Sequence, residues 1–238
     1  MLGTAWDYQD HPTEFLTRLE ALAARGIAVC NPPEVVSWNA DKRYLGELAR
    51  RGAAIVPTLW REDIDRAGVL AAMEEFGTDR VVVKRQVGAG GLGQHSFTRD
   101  ALPEDGWRMG RACMVQPFLP GIVEEGEYTF VFIDGAFSHG VLKRAGEGDY
   151  RIQSLYGGYE CDYAPEAADL ASAEAVLAAL PFAQLLYARI DMVRLPWGGL
   201  AVMEAELIEP YLYPQQGPEL GKRLARAIGQ RLEERVHG

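Results

Sequence analysis

The stretch ARIDMVRLPWGGLAVMEAELIEP, Ala188 to Pro210, carries two alternating segments around a Pro-Trp-Gly-Gly turn. That is the pattern of a β-hairpin. With the turn centred between Trp197 and Gly198, Asp191 faces Glu204 and Arg189 faces Glu206. Side chains alternate across a sheet, so Arg189, Asp191, Glu204 and Glu206 share one face. Ile190, Met192, Met203 and Ala205 share the other, which is apolar. Like charges directly opposed in a sheet are destabilising, so the acidic face calls for a cation. Oxygen donors without Cys or His suit Mg²⁺ or Mn²⁺ rather than zinc. A solvated face on which Arg189 neutralises one acid is the alternative.

Upstream stands RVVVKRQVGAGGLGQHS, Arg80 to Ser96. Its first six residues read as a strand. Alternation places Val81, Val83 and Arg85 on one side and Val82 and Lys84 on the other. A lysine among valines is costly to bury without a partner, and a phosphate is a natural one. The glycines that follow (Gly88, Gly90, Gly91, Gly93) fit the dinucleotide fingerprint by letter, but Gln94-His95-Ser96 does not open the helix that motif requires. Gln94 also stands where a phosphate-binding loop of the Walker type needs lysine. Two readings stay open: a glycine hairpin whose N–H groups fold over phosphates, or a plain tight turn.

Periodicity predicts helices over residues 12–25, from Asn39 or Asp41 through Arg51, and over 64–76, 166–180 and 217–235. Strands are expected at 27–30, 54–57, 80–85, 96–98, 112–118, 128–133, 136–142, 187–194 and 200–207. Asp134-Gly135 is a hairpin turn, and residues 146–158 read as a loop. The class is α+β, since hairpins in the second half argue against a purely parallel sheet.

Composition excludes several classes. The 238 residues are 48% apolar and 24% charged, an ordinary globular balance. No apolar run approaches ~18 residues, so no membrane helix is expected. A net charge of −10 argues against a nucleic-acid-coating surface. The three cysteines are an odd, scattered set, and the N-terminus has no signal-peptide pattern, so a reducing cytoplasmic setting is the expectation. Only four lysines stand among the 24 basic residues (Lys42, Lys84, Lys143 and Lys222).

Taken in order, Asp41-Lys42, VVVKRQVGAGGLGQHS, VQPFLPGIVEEGEYTFVF and the acidic hairpin resemble the ATP-grasp superfamily of carboxylate–amine ligases, over about residues 38 to 214. The resemblance implies two α+β lobes gripping a nucleotide, residues 38–116 and 117–238. Residues 1–37 would be the truncated remnant of a preceding domain. It further implies that Lys42 and Lys84 hold ATP phosphates under the loop of Gly88, Gly90, Gly91 and Gly93. Gln116, Pro117 and Phe118 would meet adenine, and Glu127 the ribose. Asp191, Glu204 and Glu206 would hold Mg²⁺ or Mn²⁺, with Glu206 standing where the family commonly has asparagine. Arg189 would stabilise a tetrahedral intermediate, and Arg151 or Lys143 would reach the transferred phosphoryl group.

The middle string is most similar to glutathione-synthetase-type and cycloserine-pathway members, which implies an amino-acid-like carboxylate and an amine as substrates. A homodimer, or a partner completing the N-terminal side, is expected with the short start. Two other functions compete: an ATP-binding module without ligase activity, and a kinase that stops at phosphoryl transfer.

Overall fold

A computed structural model describes the chain except for residues 4, 6, 7, 89, 147–151, 153–156 and 238, and the side chains of 235–237. Two antiparallel sheets organise it. The smaller holds β1 (Leu59–Arg61), β2 (Arg80–Arg85), β3 (His95–Thr98) and β4 (Cys113–Pro117) in the order β1-β4-β2-β3. Helix α4 (Arg66–Phe76) covers one of its faces. The Asp65 carboxylate accepts a hydrogen bond from the Gly68 N–H at 2.9 Å, and Gly77 ends the helix in the left-handed region. Val69, Ala72 and Met73 pack on Val81, Val83, Cys113 and Val115. The alternate side chains of β2, Val82 and Lys84, therefore face away from the helix into a cleft.

The larger sheet comprises β5 (Glu127–Ile133), β6 (Ala136–Arg144), β7 (Tyr159–Tyr163), β8 (Tyr187–Arg194) and β9 (Leu200–Glu206), ordered β7-β6-β5-β8-β9. Asp134 and Gly135 both adopt positive φ and close the β5–β6 hairpin. Strand β5 is buried along its whole length, because both its faces are covered. Phe130 and Phe132 pack with α6 (Ala167–Ala179), α2 (Pro33–Asn39) and α3 (Tyr44–Arg50). Val131 and Ile133 lie under α7 (Leu220–His237). The face under α7 continues beyond it into charged residues, and there it borders the cleft.

Residues 33–56, split in the sequence reading between a remnant and the first lobe, pack on the larger sheet. Val35, Tyr44, Leu45 and Leu48 join its core. The expected strand at 27–30 is absent. Side-chain amides do the edge-pairing there instead. Asn31 donates to the Tyr187 and Leu207 carbonyls at 2.9 and 2.8 Å and accepts from the Leu186 N–H at 2.9 Å. Asn39 donates to the Ala205 carbonyl at 2.7 Å and accepts from the Leu207 N–H at 2.9 Å.

Asn39 is thus spent on β9 and caps no helix; the helix expected from Asn39 or Asp41 through Arg51 is α3, which begins only at Tyr44, while α2 before it was not foreseen and Lys42 lies in the turn between them. The 54–57 strand reduces to one parallel bridge, Ile55 to Val202. Strands β1 and β7 were not foreseen, while α1 (Pro12–Ala24) stands as expected. Among the described residues, no helix is long and apolar enough to cross a membrane.

Candidate active site

The cleft between the sheets opens to solvent and spans about 990 Å³ when that open space is counted. Val56, Val82, Met114, Leu119, Ile122, Ile152, Val193 and Met203 make it apolar at one end; Lys42, Lys84, Glu127 and Glu204 make it charged at the other. Gly88, Gly90 and Gly91 of the glycine loop and Gln116, Pro117 and Phe118 at the end of β4 complete the wall. Gly90, Gly91 and Gly93 adopt φ of 63°, 69° and 67°, a region that only glycine enters without strain.

The two cleft lysines differ. Lys42 Nζ lies 2.8 Å from Glu204 Oε1 and donates to the Gly88 carbonyl. Its turn is tied to the end of β2, for the Lys42 N–H donates to the Gln86 carbonyl at 3.0 Å and Gln86 Nε2 donates to Asp41 Oδ2 at 2.9 Å. Lys84 has no hydrogen-bond or ion-pair partner among the described residues. Burial pushes its ammonium below the usual lysine range, and the nearby Glu204 and Glu127 pull it partly back.

Behind the cleft lies a buried charge cluster. Lys143 pairs with Glu127 and, at 3.1 Å, with Asp191. Arg189 holds Asp191 at 2.9 Å and also pairs with Glu206. Thr129 Oγ1 donates to Asp191 Oδ1 at 2.6 Å, and Arg189 Nη1 donates to the Tyr211 carbonyl at 3.2 Å. The cluster counts three acids against two bases. Burial accordingly pushes Glu127 and Glu206 up to about 7 each, with the neighbouring acids adding to it and the bases opposing it. Asp191 goes the other way. Burial acts to raise it, but Arg189 and Lys143 outweigh that and hold it well below the usual carboxylate range.

The hairpin register places Asp191 opposite Glu204 and Arg189 opposite Glu206, as read from sequence. The route differs. The turn is centred on Trp197, half a position earlier, which shifts the pairing by one residue so that Met192 faces Val202, and a bulge after Asp191 restores the expected pairing. That bulge corrects the placement of Met203, which leaves the apolar face and lines the cleft.

Of the expected site residues, Lys42, Lys84, Gly88, Gly90, Gly91, Gln116, Pro117, Phe118, Glu127 and Glu204 line the cleft. Lys143, Arg189, Asp191 and Glu206 form the cluster behind it. Gly93 lies in the loop against Arg85, and Arg151 lies outside the described residues. Sequence reading missed the apolar wall, whose members come from strands and turns far apart in the chain. It also sent Arg85 away from the cleft, yet this long side chain at the end of β2 reaches the wall.

Among the described residues, no three His, Cys, Asp or Glu side chains gather closely enough to hold a metal ion. Lys42, Arg189 and Lys143 stand between the acids. The donor chemistry nevertheless fits Mg²⁺. Glu204 is on the cleft wall opposite Asp191, every donor is oxygen, and the cluster carries an excess negative charge. Mg²⁺ needs only one or two carboxylates when substrate phosphates supply other ligands.

No protein-family model matches the chain. The cycloserine biosynthesis protein DcsG of Streptomyces lavendulae is 29% identical over 249 residues, covering 96% of this chain and 81% of that protein. The crystal structure of D-cycloserine synthetase DcsG superposes with a TM-score of 0.82 at 25% identity, covering 97% and 82% of the two chains. D-alanine–D-alanine ligase from Bacillus anthracis shares the fold at a TM-score of 0.68 and 19% identity, over 92% and 76%. The ATP-grasp ligase PsnB, in a complex with Mg and ADP, shares it at 0.66 and 20%, over 93% and 68%. In its motif order, two-sheet cleft and lysine-and-acid site, the chain is similar to the ATP-grasp ligases and shares their fold.

Proposed function

We propose that the protein is an ATP-dependent ligase that activates a small, amino-acid-like carboxylate as an acyl phosphate for attack by an amine. The observation that carries this is one cleft with an apolar end, a lysine without a hydrogen-bond or ion-pair partner among the described residues beside a glycine loop, and an arginine-bound acidic cluster behind them. The likeness to D-cycloserine synthetase and D-alanine–D-alanine ligase supports an amino-acid-like substrate.

In this reading, residues 59–117 form one jaw and 127–206 the other. The base lies between Val82, Met114, Ile122 and Met203, with its edge towards the backbone of Gln116 to Phe118. Glu127 faces the ribose. Lys42, Lys84 and the glycine loop hold the triphosphate. Asp191, Glu204 and Glu206 are the residues that would hold Mg²⁺, which would neutralise phosphate charge.

A substrate carboxylate oxygen attacks the γ-phosphorus and ADP leaves. The amine nitrogen then attacks the acyl carbon, phosphate departs, and the amine releases a proton. The chain's contribution is to position these groups and to offset charge. Arg189, fixed by Asp191, Glu206 and the Tyr211 carbonyl, is set to stabilise the tetrahedral oxyanion, and Lys143 or Arg151 the transferred phosphoryl group.

The test is phosphate release from Mg·ATP with paired libraries of amino acids as carboxylate and amine. Release that requires both partners supports the proposal. A stable phosphorylated product formed without amine would make the protein a kinase, and tight nucleotide binding with no turnover would make it a binding module.

A further inference from the structure

Arg85 is the residue of the cleft that neither the fold nor the charge cluster explains. It is half-buried at the end of β2, and its side chain has no hydrogen bond or ion pair among the described residues, although Lys84 beside it is also without one. Two adjacent cations, neither held in an ion pair among the described residues, are costly to keep in a partly desolvated cleft. The loop is nevertheless shaped around this side chain. A Cβ at Gly88 would come within 3.2 Å of Arg85 Cβ, and one at Gly93 within 2.5 Å of its Nε. Gly88 has no positive φ, so its need for glycine is the arginine stem and not the backbone. The stem lies against one end of the loop and the guanidinium against the other.

We propose that Arg85 is a third phosphate-binding cation, packed against the glycine loop, that grips the distal end of the nucleotide triphosphate. The inference rests on the ATP-ligase reading above. A planar guanidinium offers paired N–H donors that match phosphate oxygens, which a lysine does not. Lys42 is already engaged by Glu204 and Gly88, so Lys84 and Arg85 are the two cations of the cleft wall left for an incoming polyanion. Because the head of Arg85 rests on Gly93, fixing that head on a phosphate fixes the far end of the loop as well.

The experiment is calorimetric titration of the full chain with a non-hydrolysable Mg·ATP analogue, ADP and AMP. It compares wild type with Arg85→Met, Arg85→Lys and Lys84→Met. Arg85→Met is expected to weaken the triphosphate about 10- to 100-fold, the worth of a lost charge-assisted hydrogen bond. AMP binding should stay within about twofold on the same grounds, and Arg85→Lys should recover part of the loss. Thermal melting without ligand should be unchanged, since among the described residues the side chain has no hydrogen bond or ion pair to lose.

Three outcomes overturn the proposal. One is an unchanged triphosphate affinity in Arg85→Met. Another is an equal loss for AMP, which would assign the residue to loop shape or the base. The third is a loss for ADP as large as that for the triphosphate, which would place the residue away from the distal phosphate. Failure of the underlying reading looks different: wild type itself would bind none of the three nucleotides.

Discussion

Replacing Lys84 by methionine separates a ligand-binding lysine from a structural one. Lys84 has no hydrogen-bond or ion-pair partner among the described residues, and burial already disfavours its charge. Lys84→Met keeps most of the volume and orphans nothing, so the apo protein should melt where wild type does or slightly higher. The cost appears only with ligand. At nucleotide near ~100 times the wild-type dissociation constant, binding should stabilise wild type by about 2.7 kcal/mol. Losing one charge-assisted hydrogen bond costs about 1.5–3 kcal/mol. At the same nucleotide concentration the variant would then retain roughly 0.3–1.3 kcal/mol.

For a chain of this size 1 kcal/mol moves Tm by about 2–4 °C. The nucleotide-induced shift should therefore fall from roughly 5–11 °C to between about 1 and 5 °C. Differential scanning fluorimetry with Mg·ATP over a concentration series measures both quantities. A variant that melts several degrees lower without ligand would make Lys84 structural. One that keeps the full shift would remove it from the phosphate site.

Lys143 should behave in the opposite way. It is buried between Glu127 and Asp191, so Lys143→Met strands the Glu127 carboxylate, leaves Asp191 to Arg189 alone among the bases, and should cost about 3–5 kcal/mol in urea unfolding without any nucleotide. Asn31→Ala should lose about 2–5 kcal/mol in the same assay. It leaves the Leu186 N–H and the Tyr187 and Leu207 carbonyls without their side-chain partner.

Stability should also depend on pH through the charge cluster. Glu127 and Glu206 sit near 7 in the folded chain against a usual 4.5. Between those values the native state holds a proton that the unfolded chain has released, so stability should decline as pH rises from about 5 to 7. With one surplus acid the effect is at most of order 3 kcal/mol. Asp191, held low, works in reverse and withdraws stability as pH falls below about 4. Thermal melts from pH 4 to 8 should show the decline, Glu206→Gln should reduce it, and Mg²⁺ should flatten it. A Tm that climbs between pH 5 and 7 would refute this account of the cluster.

The acidic hairpin shows how a sequence argument can be sound in one part and fortunate in another. Alternation decided which residues share a face, and with one face buried a one-residue slip would have inverted every side chain. The positions of Asp191 and Glu204 were therefore strongly constrained. The pairing beside the turn was read one residue off, and a bulge offset the error at the acids while turning Met203 into the cleft. A bulge has no clear local signature here, because Val202, Met203 and Ala205 read as ordinary strand. The failed strand at 27–30 has a similar cause. Its apolar run suited a strand, but Asn31 and Asn39 had already taken the backbone groups it would have paired with.

The chain's local periodicities were enough to name the α+β class, the Lys84-bearing strand, the glycine turn and the acid-bearing face, because each depends on residues a few positions apart. Tertiary structure alone decided which cation meets which acid. Lys42 reaches Glu204 across 162 positions, and Lys143 reaches Asp191 across 48. It also decided that Arg85 turns into the cleft and that the 33–56 segment joins the larger sheet. Strand and helix patterns arise from neighbours along the chain. Charge pairing and cleft lining arise from neighbours in space, and many arrangements of the same charges satisfy the same local pattern.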